Sequence, residues 1–251
     1  MVCIDDYERK LRGMMKTVEL REMTSGDYDD FINLKLETSF FVKGFFENEK
    51  RREIKWKEMM QPERRNYVIN KEGVFCGYCA IKNINKEKPE IEIELLKEFQ
   101  GKGIGFQALL EMMWEISMEY DKQYFIAVVE QRNIPSQRLM LKLGGTHSGM
   151  KKSAMAKYFE SYLEDEKNNP KLLSYIHGWI EELARGRNKL PEDIFVEDLV
   201  FEFSIDELKK LILAWDEDFT KLTFQERMEL EQTKKEMENG EYFLHNEINW
   251  N

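Results

Sequence analysis

Only three cysteines, three histidines and five prolines occur in this 251-residue chain. An odd number of cysteines makes a poor disulfide framework. Cys76 and Cys79 in "VFCGYCAI" have CxxC spacing, but they lie in a β-prone run where residues three apart point to opposite faces, so both are read as small buried hydrophobes. His147, His177 and His245 share no ligand spacing, and no metal is expected. No apolar run approaches the roughly 20 residues that a bilayer span needs. The first residues, "MVCIDDYERKLRGMMK", also lack the continuous apolar core of a secretory signal. A cytoplasmic protein with no membrane contact is expected. Excess positive charge is missing too. Residues 1–150 carry 24 basic against 25 acidic side chains, and residues 151–251 carry 14 against 23, for a net charge of −10 concentrated in the C-terminal part. Nucleic-acid binding normally needs a basic stripe, so no nucleic-acid partner is expected. A homodimer is compatible with these features.

What the chain does have is enough apolar sequence, 42% of residues, for a packed core. An amphipathic stretch near residues 5–15 leads in, "TVELREM" reads as a strand, and "TSGDYDDFINLKLETSFF" as a helix capped by Thr24 or Ser25. Three strands follow, with Glu72-Gly73 and Lys88-Pro89 in their turns. In "PEIEIEL" the alternation is strict, with Ile91, Ile93 and Leu95 on one face and Glu90, Glu92 and Glu94 on the other. "GFQALLEMMWEISMEY" is a helix, "YFIAVV" a strand, and "SQRLMLKLGG" a helix entered at Asn133 and Pro135. This order predicts an α/β fold with a mixed, mainly antiparallel sheet flanked by helices.

Beyond residue 150 the texture turns helical and charged. The expected organisation is a helical lead over 1–16, a core over 17–150, and an acidic helical region over 151–251. Within that last region an insertion over 150–195 precedes a final core strand near 198–203, the one strand-like run left. Capping boxes at Ser204/Glu207 and Thr223/Glu226 open the terminal helices.

The functional signal is "FQGKGIGF", which places Gly101, Gly103 and Gly105 between a strand and a helix. Such a cluster provides positive φ or the close approach of a phosphate. No GxxxxGK[ST] string is present. Gly103-x-Gly105-x-x-Ala108, with Glu130 downstream, matches a dinucleotide fingerprint, but that fold needs a buried strand in front and "EIEIEL" alternates.

Gln100-Gly-Lys-Gly103-Ile-Gly105 resembles the Q/R-x-x-G-x-G/A loop of the GNAT superfamily of N-acetyltransferases. "NIPSQRLMLKLGGTHSG" resembles its second motif, with Asn133, Ser136, Leu139, Lys142, Gly144 and Gly149 in register. The pattern is most similar to the ribosomal-protein N-terminal acetyltransferase branch and covers roughly residues 17–150. The resemblance implies the GNAT fold, acetyl-CoA as co-substrate and a primary-amine acceptor, either a peptide N-terminus or a small polar amine. It implies that pantetheine pairs with the backbone of Ile93, Glu94 and Leu95. The pyrophosphate would sit on the amides of Gln100, Gly101, Lys102, Gly103, Ile104, Gly105 and Phe106, with Asn133 also on the cofactor side.

Many family members place a tyrosine acid where this chain has Met140, which has no proton to give. Either Ser136 or solvent would then protonate the leaving thiolate, and Ser136 is equally a first-turn helix hydroxyl. Gly145 replaces the usual phenylalanine, which is expected to loosen local packing. For the base, three like charges on one strand face either raise one pKa, with Glu92 the choice as the central one, or form an ordinary solvated face. Phe40, Phe41, Phe45 and Phe46 lie where the family's first helices border the acceptor, and either line an apolar wall there or belong to ordinary core packing. A binding module that holds CoA or a partner without turnover is the alternative reading, motivated by Met140 and the acidic C-terminal helices.

Overall fold

The computed structural model describes residues 4–14, 18–38, 49–131, 133–152, 177–178, 180–181 and 197–214. The chain divides into two units, Met1–Leu213 and Ala214–Asn251. Of the second, only Ala214 is described. The four phenylalanines of residues 40–46, most of the expected insertion and the helix opened by Thr223 lie outside the described residues.

The chain begins with helix α1 (Ile4–Met14), strand β1 (Glu19–Glu22) and a single 3-10 turn (Ser25–Asp27) leading into α2 (Tyr28–Thr38). The turn is fixed at Thr24, whose backbone N–H and hydroxyl both donate to Asp27 Oδ2, at 2.7 and 3.0 Å. Helix α3 (Glu49–Met59) precedes the hairpin of β2 (Arg64–Lys71) and β3 (Val74–Lys82). Glu72 and Gly73 both have positive φ, 53° and 77°, as the two-residue hairpin turn that matches strand twist requires. Then come β4 (Glu90–Leu95), α4 (Ile104–Tyr120), β5 (Tyr124–Val129), α5 (Ile134–Lys142), β6 (Thr146–Lys151), β7 (Asp198–Ser204) and α6 (Ile205–Ala214).

Seven strands form one sheet in the order β1-β2-β3-β4-β5-β7-β6. All neighbours are antiparallel except β4 and β5, so the sheet is mixed and mainly antiparallel. One face carries α2, whose Phe31 and Leu34 pack with Val68, Tyr78 and Ala80. The other carries α4, which buries Leu109, Met112, Met113 and Ile116. Helix α1 reaches the edge of that layer, with Tyr7 against the Trp114 ring at 5.2 Å between centroids.

Strand β7 lies between β5 and β6, with Phe201 and Phe203 buried. The sequence marks 198–203 as the one remaining strand and gives no sign of β6. The reason is physical: five of the six β6 residues are exposed at the sheet edge, so no apolar alternation marks it. Gly145, just before β6, does not loosen the packing as expected. The Phe203 ring fills the space beside it.

Candidate active site

The parallel pair at the centre of the sheet is incomplete. β4 and β5 are in register at Glu90↔Ile126 and Ile91↔Ala127 and no further, although β4 runs on to Leu95 and β5 to Val129. From Glu92 onward the edge of β4 toward β5 is therefore open, and it offers main-chain donors and acceptors. On the other side β4 stays bonded to β3 through Gly77↔Leu95. Residues Ile93, Glu94 and Leu95 thus line a splayed cleft that runs directly into the glycine loop.

The three glycines of that loop have different jobs. Gly101 and Gly103 have φ of 70° and 79°, with nothing within 4 Å of where a side chain would start, so the backbone turn itself demands them. Gly103 is the residue preceding α4, so the first turn of α4 is left with free amides at its positive dipole end. Gly105 has an ordinary backbone. A Cβ there would stand 3.2 Å from Ile93 Cδ1 and 3.4 Å from Leu139 Cδ2, so it allows α4 to pack against β4 and α5. The Gln100 side chain donates to the Leu95 carbonyl at 2.8 Å and braces the loop against the end of β4. Lys102 lies over the Phe99 ring, 5.9 Å from its centroid, and Lys142 lies 4.9 Å over Phe106, putting two cations beside the loop. Open strand edge, bare turn, free amides and flanking cations fit a pantetheine arm followed by a pyrophosphate.

At the start of α5, Asn133 Oδ1 accepts the Ser136 N–H at 3.1 Å. The Asn133 carboxamide is thus a helix cap, and Ser136 is half-buried in the first turn. Met140 is 3% exposed and belongs to the core.

The acidic face of β4 differs from the sequence expectation. Glu92 accepts the Tyr78 hydroxyl at 2.6 Å and pairs with Arg64 at 3.1 Å and Lys82 at 3.3 Å. Burial alone would raise its pKa, but Lys82, Arg64, Lys35 and the Tyr78 hydroxyl outweigh it and hold the carboxyl well below the usual range. The like-charge reason for a raised pKa at Glu92 does not apply in the fold, because the neighbouring carboxylates are each matched by cations. Glu90 pairs with Lys82 at 2.6 Å and Lys151 at 3.4 Å. Glu94 pairs with Lys35 and accepts the Thr38 hydroxyl. Lys35 in turn donates to Tyr78 Oη at 2.9 Å and lies over the rings of Phe31 and Tyr78.

Sequence reasoning does not reach Lys35, Arg64, Tyr78 and Lys82. Nothing local marks them, since Lys35 and Glu94 are 59 residues apart and Arg64 and Glu92 are 28 apart. The thiols of Cys76 and Cys79 are buried and free, and burial pushes both up in pKa, so neither is reactive. No helix among the described residues is long and apolar enough to cross a membrane.

Comparison with solved structures finds the same architecture. A spermidine N-acetyltransferase SpeG chimera from Vibrio cholerae and hSSAT superposes with a TM-score of 0.54 at 15% identity, covering 79% of this chain and 99% of the other. RimL, a ribosomal alpha-N-protein acetyltransferase in complex with coenzyme A, gives 0.54 at 16% identity, covering 76% and 96%. The spermidine N-acetyltransferase from Vibrio cholerae in complex with CoA and spermine gives 0.51 at 13% identity, covering 77% and 98%. At these identities the likeness is one of fold. No curated protein matches the sequence. The sequence profile described as "Acetyltransferase (GNAT) domain" matches residues 17–146, more than half of the chain and all of the splayed cleft, glycine loop and α5. The chain therefore belongs to the GNAT acetyltransferase family, whose acetyl donor is acetyl-CoA.

Proposed function

We propose that this protein is an acetyl-CoA-dependent N-acetyltransferase acting on a primary amine, either a peptide N-terminus or a small polar amine. The observation that carries the reading is the loss of β4–β5 pairing after Ile91, which leaves an open strand edge leading into a loop whose φ angles require Gly101 and Gly103. In this reading the backbone of Ile93, Glu94 and Leu95 aligns the pantetheine arm, and the amides from Gln100 to Phe106 hold the pyrophosphate. The helix of Asn133 and Ser136 flanks the cofactor.

The neutral amine attacks the thioester carbonyl carbon. A C–N bond forms, the C–S bond breaks, the amine gives up a proton and the thiolate takes one. The Ser136 hydroxyl and solvent remain the two candidates for protonating the thiolate. Glu92 pairs with Arg64 and Lys82, which weakens it as the proton acceptor and ties it into a polar network with Tyr78.

The second reading, a module that holds CoA or a partner without turnover, is favoured by Met140, which stands buried at the usual tyrosine position. Calorimetry with acetyl-CoA, followed by thiol release across an amine panel, tests both. The enzyme reading expects binding and acceptor-stimulated release. No binding at high micromolar acetyl-CoA would sink the enzyme and the CoA-holding module and leave only a partner-holding one, and binding without stimulated release would leave the module.

A further inference from the structure

The carboxylates on the face of β4 turned toward α2, the side on which the N-acetyltransferase reading sets the acceptor, are already matched by the protein's own cations. Glu90, Glu92 and Glu94 keep 15%, 27% and 21% of their side-chain surface exposed, so an incoming group can reach them. Yet Glu90 holds Lys82 and Lys151, Glu92 holds Arg64 and Lys82, and Glu94 holds Lys35. Two of these partners are firmly held. Lys35 is 7% exposed, bonded to Tyr78 Oη and placed over the rings of Phe31 and Tyr78, and Lys82 is shared between two carboxylates.

An arriving ammonium would have to displace one of these cations. Displacing Lys35 strands a buried charge, which costs far more than a surface pair returns. Leaving the cations in place sets a second or third ammonium of the ligand among like charges. A polyamine needs an anion for each of its extra ammoniums. A peptide N-terminus or monoamine brings one positive charge and loses it on reacting.

We propose that the ladder of Glu90, Glu92 and Glu94 with Lys35, Arg64, Lys82 and Lys151 sets acceptor specificity, selecting a primary amine with a single positive charge against polyamines. The inference rests on the N-acetyltransferase reading above and narrows its substrate class.

The test is thiol release by the full-length chain with acetyl-CoA, comparing a neutral peptide with a free N-terminus, a simple monoamine and spermidine. The better of the two singly charged acceptors is expected to exceed spermidine in kcat/KM by about tenfold or more. Lys82→Met removes the cation shared by Glu90 and Glu92, and should shift the ratio toward spermidine by about tenfold. If that variant fails to fold, the wild-type panel decides alone. Spermidine turnover equal to or above both singly charged acceptors overturns the specificity inference and leaves the enzyme reading intact. An unchanged ratio in folded Lys82→Met overturns the assignment to the ladder. No stimulated release by any acceptor overturns the enzyme reading and the specificity inference together.

Discussion

Phe203 occupies the space that a side chain at Gly145 would need. A Cβ on Gly145 would stand 2.5 Å from Phe203 Cε1 and 2.9 Å from the Met140 carbonyl oxygen. Resemblance to the family leads one to expect an aromatic ring just after α5. Here a phenylalanine comes from β7 instead, far along the chain.

Gly145→Ala is therefore expected to destabilise by about 1–3 kcal/mol, the usual cost of overpacking a filled core. Urea denaturation of Gly145→Ala, Phe203→Leu and the double variant checks it. The double variant should lose less than the sum of the two, because the smaller residue at 203 makes room. Wild-type stability in Gly145→Ala would show that the ring moves freely.

Gly103→Ala and Gly105→Ala separate the two uses of glycine in the loop. At 103 the φ of 79° strains any other residue, so a loss of about 1 kcal/mol in stability and a marked drop in acetyl-CoA affinity are expected. At 105 only the mobile ends of Ile93 and Leu139 must give way, so a smaller effect on affinity is expected. Calorimetry on both variants ranks them, and equal losses would contradict the division of roles.

The Glu111 carboxyl is pushed up to about 7, first by burial and then by Glu115. Among the described residues its Oε2 finds no partner, and neither does Gln107 Oε1 one turn earlier. The unfolded chain releases this proton at roughly pH 4.3, so between there and about pH 7 the native state holds more protons. Stability therefore falls as pH rises through that window. Glu111→Gln should match wild type near pH 4 and exceed it at pH 8 by on the order of 1 kcal/mol, discounted for partial exposure. Thermal melts across pH 4–8 read the difference. A variant weaker than wild type at pH 8 would mean that the carboxylate is satisfied.

Asp27 shows the opposite sign. The hydrogen bonds from Arg21, aided by those from Thr24, hold its carboxyl down to about 2. Its contribution is full above the unfolded value near 4 and is lost as pH falls from about 4 toward 2. Asp27→Asn is expected to cost about 1–2 kcal/mol at pH 7 and almost nothing at pH 2. A pH-independent gap in melting temperature between the two proteins would refute the linkage.

The features that the sequence determined by itself are short-range. Alternation fixed β4, the apolar period of 3.6 fixed α4, and Glu72-Gly73 fixed the β2–β3 hairpin. Asn133 three residues before Ser136 marked the start of α5, and the glycine loop with the second motif marked the family. Each depends on backbone conformation or on a repeat within about ten residues, which the order of amino acids states directly. Tertiary structure decided the rest. β6 buries almost nothing and so leaves no periodic trace, and its place was settled by pairing with β7. Whether Glu92 is raised or lowered in pKa depended on Arg64, Lys82, Lys35 and Tyr78, which come from other elements of the fold. Glu90, Glu92 and Glu94 read in sequence as three like charges in a row. Folding sets a cation beside each, because the cost of leaving carboxylates unpaired on a half-buried face is met only by groups that the fold brings from a distance.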